Sequence, residues 1–423
     1  MSKNIFVVGF DDFNYTKLKA IEQAKSYTFH PLLDVGEVKT REPFSIEKLI
    51  RKAETKLEAF SGTIDAIVGY WDFPVTCLTP FLSHRFHLPA PSLESVLKCA
   101  HKYWSRIEQS KVTTAHPAFC AFNPFDKDAL SSIPLKYPFW IKPIKSFASQ
   151  LGFKIHNEKE FHECVGIIRE GIFRFGIPFN YFLRQVPLPP EVANVHGTFC
   201  IAEQIISGKQ CTLEGYVYKG QCEVYGVVDS IREPKRSTFA RYQFPSSLPN
   251  LVQKRMVDIA EKVLTQIQFD NSPFNIEFFY DEHDDRIWLL EINPRISQSH
   301  CDLFEKVDGA SHHEVMIDIA LGNKPAFPKR KGMFNCAAKF YLRTHEDAVI
   351  KRIPSKDELR KVKELFPETL IQIHVKEGMK PSELLNQESY SYELGFMFMG
   401  AQDEQELLDN HRKCLEYLNF EFS

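Results

Sequence analysis

Two glutamates set among bulky apolar residues are the side chains of this sequence best placed to do chemistry: Glu277 in "FNIEFF" and Glu291 in "IWLLEINPR". Both runs read as β-strands, and the charged stretch "YDEHDD" between them reads as the turn that makes them neighbours. Like charges held close repel, so the pair needs a counter-ion. Three bland arrangements are open: the glutamates face water, lysines bridge them, or they share a proton. The residues that follow favour a fourth. Asn293 and Arg295 stand two and four positions beyond Glu291, so alternation places all three on one face if the strand continues. Two carboxylates and an amide oxygen are hard donors suited to Mg²⁺, or to Mn²⁺ in its place. Mg²⁺ keeps positions for water or phosphate oxygens, which points to nucleoside triphosphate chemistry more than to a structural ion.

The rest of the sequence narrows the setting. A length of 423 residues supports two or three domains, and 43% hydrophobic with 25% charged residues is ordinary for a globular protein. A net charge of −3 gives no general surface for nucleic acid or anionic membrane. No apolar run approaches a membrane span, and "MSKNIFVVGF" lacks the layout of a signal peptide. Ten cysteines without a C-x-x-C pair suit reduced thiols in a cytoplasmic setting, with neither a zinc site nor a disulfide framework. The 36 phenylalanines are spread along the chain, and most of them read as core.

The elements that must hold the glutamates are legible in outline. "NIFVVGF" is a buried strand, "YTKLKAIEQAKSY" and "SIEKLIRKAETKLEAF" are helical, and "IDAIVGYWDF" is read as the second strand. That order predicts a parallel α/β layer. Its first turn holds only Gly9, so a G-x-G-x-x-G dinucleotide fingerprint is absent. "SLESVLKCAHKYWSRIEQSKV" reads as one helix capped by Ser92, and "PLKYPFWIKPIKSFASQLGFKIHN" as two strands around a loop. "FCIAEQIISGKQCTLEGYVYKGQCEVYGVVDS" predicts an antiparallel meander with turns at Ser207-Gly208 and Lys219-Gly220. The amphipathic helix "NLVQKRMVDIAEKVLTQIQF" leads into the glutamate strands, and "SHHEVMIDIALGN" is a helix after them. The texture changes between residues 322 and 328. Beyond that come the strands "AAKFYLRT", "TLIQIHVKEG" and "ELGFMFMGA" and the helix "DEQELLDNHRKCLEYL".

"E-x-N-x-R" at Glu291 to Arg295, preceded by a strand glutamate at Glu277, resembles the metal-binding signature of ATP-grasp enzymes. The resemblance covers most of the chain. It implies an α/β and α+β multidomain protein: an N-terminal parallel α/β domain at 1–95, an ATP-grasp domain at 96–325 with a lid about 135–205, and a C-terminal α+β extension at 326–423. It also implies residue roles. Glu277, Glu291 and Asn293 hold Mg²⁺ on ATP, and Arg295 is catalytic. Lys142 in "WIKP" contacts phosphate, as does Lys102 on the preceding helix, which is preferred to Lys98. The family's glycine-rich phosphate loop is here "SFASQLG", with Gly152 alone, so Ser146 and Ser149 are the candidate hydroxyl donors. Edge amides and carbonyls of Glu203, Gln204 and Ile206 are expected to read adenine. Gln210 replaces a glutamate that often binds ribose, and Glu214, Ser297, Ser299 and His300 are candidate substrate contacts.

What the resemblance implies in function is a ligase that phosphorylates a small carboxylate, such as an amino acid, and lets an amine displace phosphate from the acyl phosphate. Two alternatives stay open. A biotin-carboxylase-like enzyme would need a catalytic glutamate just before His300, where this sequence has Ser299. A degenerate ATP-binding scaffold would explain the thinned glycine loop but not Arg295. The insertion "FGIPFNYFLRQVPLPPEVANVHG" either covers the pocket or meets a second subunit in a homodimer.

Overall fold

The computed structural model describes residues 2–40, 44–146, 150–233, 238–385, 387 and 391–423. The chain divides into two compact units: Met1–Val224 with Leu248–Ile296 and His313–Pro325, and Tyr225–Ser247 with Ser297–His312 and Ala326–Ser423.

The first unit opens with a three-stranded parallel sheet in which Lys3–Phe10 lies between Tyr27–Asp34 and Ala66–Val68. The edge strand Tyr27–Asp34 was not anticipated, and the run read as the second strand is the third. Pro31 explains the difference: proline in a strand argues against pairing on both sides and is tolerated at an edge, where this strand lies. The helix Ile46–Glu58 is capped by Ser45, whose Oγ accepts from the Lys48 amide at 3.3 Å.

A second sheet of four antiparallel strands runs Phe119–Phe122, Cys200–Gln204, Phe139–Pro143, Phe153–Ile155. Cys200–Gln204 therefore does not belong to the expected meander. Its chain leaves this sheet and turns at Gly208, with φ of 132° and a position where a Cβ would collide with the Tyr280 carbonyl. The strand after the turn, Lys209–Tyr218, pairs with Ser272–Asp281, which pairs in turn with Arg286–Asn293.

The stretch 92–112 differs from the single helix predicted. Ser92 caps Leu93–Ala100, and a second helix, Lys102–Ser110, starts after a break at His101. His101 leaves helical geometry at φ −86° and ψ 98°. Its Nδ1 accepts from the Trp104 amide at 3.0 Å, while Nε2 donates to the Val195 carbonyl at 2.7 Å. The break puts Lys102 at the first position of a new helix. Both ring nitrogens serve the neutral form, and burial lowers the pKa from 6.5 to about 4. Between those two values the unfolded chain binds the extra proton. Stability from this residue is therefore complete above about pH 6.5 and falls as pH drops towards 4, by on the order of 3 kcal/mol. Urea unfolding at pH 7 and pH 5 should show a larger acid loss for wild type than for His101→Gln. Equal losses would contradict this account.

The insertion rich in aromatics forms the helices Phe173–Leu183 and Pro190–Ala193. Phe175, Phe179, Phe182 and Val192 join one buried cluster with Phe73, Phe81 and Leu82. A fully buried phenylalanine contributes on the order of 2 kcal/mol, so these rings anchor the insertion to the N-terminal part of the unit.

The second unit carries the end of strand Gln221–Arg232, then Phe239–Phe244, Cys336–Thr344, Tyr392–Ala401 and Leu370–Ile373, each paired antiparallel with the next. The helix Lys356–Leu365, with a Ser355/Glu358 capping box, and the helix Glu404–Leu415, capped by Asp403, complete its main elements. All ten cysteines are free thiols.

Candidate active site

The strands Ser272–Asp281 and Arg286–Asn293 pair with Glu277 directly opposite Glu291 and Asn275 opposite Asn293. Lys209–Tyr218 extends both rows, with Thr212 opposite Glu277 and Glu214 opposite Asn275. Polar side chains thus line one face of three adjacent strands while Ile276, Phe278 and Leu213 fill the other. A relay fixes the amides. Asn293 Nδ2 donates to Asn275 Oδ1 at 3.1 Å, and Asn275 Nδ2 donates to Glu214 Oε1 at 2.7 Å. With its nitrogen committed, Asn293 presents its oxygen as the donor for a cation. Gln210 Nε2 donates to Glu277 Oε2 at 2.9 Å, so the side chain expected at a ribose is turned onto a carboxylate. Glu214, expected at substrate, is fully buried, accepts from Asn275 and acts electrostatically on Arg295.

Among the described residues no three His, Cys, Asp or Glu side chains gather into a metal cage. The donor set is two carboxylates and one amide oxygen. That fits Mg²⁺ completing its shell with phosphate and water, since Mg²⁺ is ordinarily held by one or two carboxylates plus substrate oxygens. Arg295 does not continue the strand, which ends at Asn293. Its amide turns back to the Asn293 carbonyl at 2.9 Å, and its Nη2 donates to Asp72 Oδ2 at 2.9 Å.

Lysines surround this face. Lys102 Nζ lies 3.6 Å from Glu291 Oε2 and donates to the Ser146 carbonyl at 2.6 Å. Lys98, the rival, pairs with Glu94 at 2.7 Å. Lys142 Nζ sits 2.7 Å from Glu203 Oε2, and Arg106 Nε holds the other oxygen at 2.6 Å. Burial would raise the Glu203 pKa, but Arg106 and Lys142 hold it at about 2. The strand Cys200–Gln204 is interior, paired on both sides, so Glu203 and Gln204 are not edge residues as expected. The Gln204 amide donates to the Ala118 carbonyl at 2.8 Å, and Ile206 lies past the strand end. Ser149 lies outside the described residues.

Two charged residues escaped the sequence reading. Asp72 follows the parallel strand Ala66–Val68, at the carboxyl end where open α/β sheets bind ligands. Burial acts to raise its pKa, yet Arg295 and then Lys145 hold the carboxyl well below the usual range. Lys145, three residues after Lys142, is buried with its Nζ 3.7 Å from Asp72 Oδ1. "GYWDF" after a strand and a second lysine in "WIKPIKS" were the available signals. A small recess is lined by Asp72, Thr76, Lys102, Lys145, Glu291 and Asn293, among others.

Ser297, Ser299 and His300 belong to the second unit. There Lys339 Nζ donates to Ser299 Oγ at 3.1 Å, and the His300 ring packs edge-on against Tyr242 at 4.8 Å. His300 occupies the N-cap position of Cys301–Asp308 without a side-chain cap.

Residues 135–302 match the family model of the ATP-grasp domain. No curated protein matches the chain. Among solved structures, it is similar to an L-amino acid ligase from Bacillus licheniformis, at 16% identity and TM-score 0.75 over 100% of this chain and 99% of that one. It is also similar to an N5-carboxyaminoimidazole ribonucleotide synthetase from Thermotoga maritima, at 15% identity and TM-score 0.65 over 100% of both chains. A biotin carboxylase from Campylobacter jejuni, solved as its β,γ-ATP complex, matches at 14% identity and TM-score 0.63 over 99% of this chain and 92% of that one.

Proposed function

Residues 135–302 form an ATP-grasp domain within a chain of ATP-grasp fold, and from that premise we propose that the protein is an ADP-forming ligase joining a small carboxylate, such as an amino acid, to an amine. The observation that carries the reading is the cross-strand pair Glu277 and Glu291 beside Asn293, with Lys102 close to one carboxylate and Arg295 braced by Asp72. Glu277, Glu291 and Asn293 would hold Mg²⁺, which would offset the negative charge of the phosphoryl group being transferred. Lys102 and Lys142 take phosphate oxygens as point charges. Lys142 must then loosen its contact with Glu203, and Arg106 keeps that carboxylate compensated when it does.

Arg295 binds the acceptor carboxylate and aims it at the γ-phosphorus. Attack forms the bond from carboxylate oxygen to phosphorus as the bond to the ADP oxygen breaks. The amine then adds to the acyl phosphate, the same guanidinium stabilises the oxyanion, and phosphate leaves as the amine loses its proton. Burial disfavours the charged guanidinium, but Asp72, Glu214 and Glu277 keep the Arg295 pKa above its ordinary value, so it stays cationic through the cycle. The ten free thiols suit a reducing, cytoplasmic setting.

The test is ADP release with a panel of amino acids and other small acids paired with amines. Arg295→Ala should lower the rate of the chemical step by about 10²-fold, with nucleotide affinity changed by less than about threefold. Unchanged turnover would remove Arg295 from the mechanism. Tight ATP binding without ADP release for any pair would make the chain a nucleotide-binding scaffold instead.

A further inference from the structure

Lys145 has a charge that its surroundings only half compensate. Its side chain is 5% exposed, yet among the described residues the only carboxylate within 4 Å is Asp72, at 3.7 Å, too far for a hydrogen bond. That carboxylate already accepts from Arg295 at 2.9 Å and from the Phe73 amide at 2.9 Å. Two aromatic rings also approach the ammonium, with the Phe73 ring centroid at 5.4 Å and the Phe179 centroid at 5.7 Å, while Lys102 and Glu291 act on it from farther off. Two ring faces help keep a desolvated cation charged without consuming its hydrogen-bond donors. Burying an ammonium so sparsely paired is costly, and an anion supplied by a ligand offsets that cost.

The position of Lys145 says which anion. It stands on the recess shared by Asp72, Lys102, Glu291 and Asn293, and one carboxylate, that of Asp72, bridges it to Arg295. Lys102 and Lys142 lie nearer the metal-side glutamate and Glu203, where phosphate is expected. We propose that Lys145 binds a second anionic group of the acceptor, so that the substrate is a dicarboxylic acid, including the acidic amino acids, with one carboxylate at Arg295 and the other at Lys145. This rests on the acceptor site assigned to Arg295 above. Lys145 is a specificity residue in this scheme and takes no part in bond making. Asp72 sets the spacing between the two cations, and the rings of Phe73 and Phe179 exclude water from the Lys145 end.

Binding without turnover tests it. Calorimetric titration of the full chain with glutarate and with butyrate, in the absence of nucleotide, should give a Kd for glutarate at least about tenfold lower. Lys145→Met should erase that difference, Lys145→Arg should keep most of it, and both variants should bind MgADP within about twofold of wild type, which also reports that they are folded. A Lys145→Met protein that still prefers glutarate, or a wild type that binds both acids equally, overturns the proposal. So does a Lys145→Met protein that loses MgADP affinity while keeping the preference, since the lysine would then serve phosphate. If glutarate is preferred through Lys145 but no acid supports ADP release, the ligase reading fails and with it the acceptor role, while the dicarboxylate site at Lys145 stands.

Discussion

Glu291→Gln is expected to reduce ADP release by about 10³-fold or more while the protein stays folded. Glu291 and Glu277 face each other across two strands, and on the proposed reading cations at phosphate offset their repulsion. Glutamine keeps the volume and removes one negative charge, so the cation loses a donor while the strand pair loses its repulsion. The contact between Glu291 and Lys102, at 3.6 Å, is lost as well, and the two effects on stability oppose each other. The change in stability is thus within about 1 kcal/mol. A coupled ADP assay and a thermal melt read the two quantities separately. MgADP should raise the melting temperature of wild type more than that of the variant, because binding to the native state stabilises it by mass action. Near-normal ADP release from Glu291→Gln would be incompatible with the metal assignment.

The largest structural effect is expected at Arg106. Its guanidinium donates to Glu203, to Gln109 Oε1 at 2.7 Å, and to the carbonyls of Leu289 and Leu290 at 3.0 and 2.8 Å. One buried side chain thereby joins the helix Lys102–Ser110, the Glu203 strand and the Glu291 strand. Arg106→Ala strips a donor from each acceptor and leaves Glu203 with Lys142 alone, which should cost about 4 kcal/mol. That corresponds to a fall of about 10 °C in melting temperature for a unit of this size. Lysine should not rescue it, because one ammonium on a flexible stem cannot span four acceptors in a fixed plane. The Glu203 carboxyl has a folded pKa of about 2 against an ordinary 4.5. Its stabilisation is therefore complete above about pH 4.5 and is lost as pH falls towards 2, where the unfolded state binds the proton first. Melting curves at pH 7 and pH 3 should show a smaller acid loss in Arg106→Ala than in wild type. A melting temperature within 2–3 °C of wild type at pH 7 would mean the ion pair is replaceable by water, as at a surface.

Local sequence was enough for the parts of this protein that repeat at short range. Alternating apolar residues with a charged turn defined the Glu277 and Glu291 strands. Strand period also put Asn293 on the face of Glu291, because side-chain direction in a strand depends only on the parity of the position. The amphipathic helix Asn250–Gln266 was visible on the same terms. Sequence failed where a residue's state is set by a partner far along the chain. His101 breaks a helix that local propensity would continue, because the Val195 carbonyl, 94 residues away, receives its Nε2 hydrogen. Glu203 and Gln204 could not be known to lie in an interior strand until Phe119–Phe122 and Phe139–Pro143 closed on either side. Gln210 and Glu214 became the orienting partners of Glu277 and Asn275 only through the register of strands more than sixty residues apart. Asp72 and Lys145 meet across 73 residues, with Arg295 a further 150 away. Periodicity reports which way a side chain faces, but the charge it finally meets is decided by long-range packing, since electrostatic energy in a buried site depends on separation in space and on the exclusion of water.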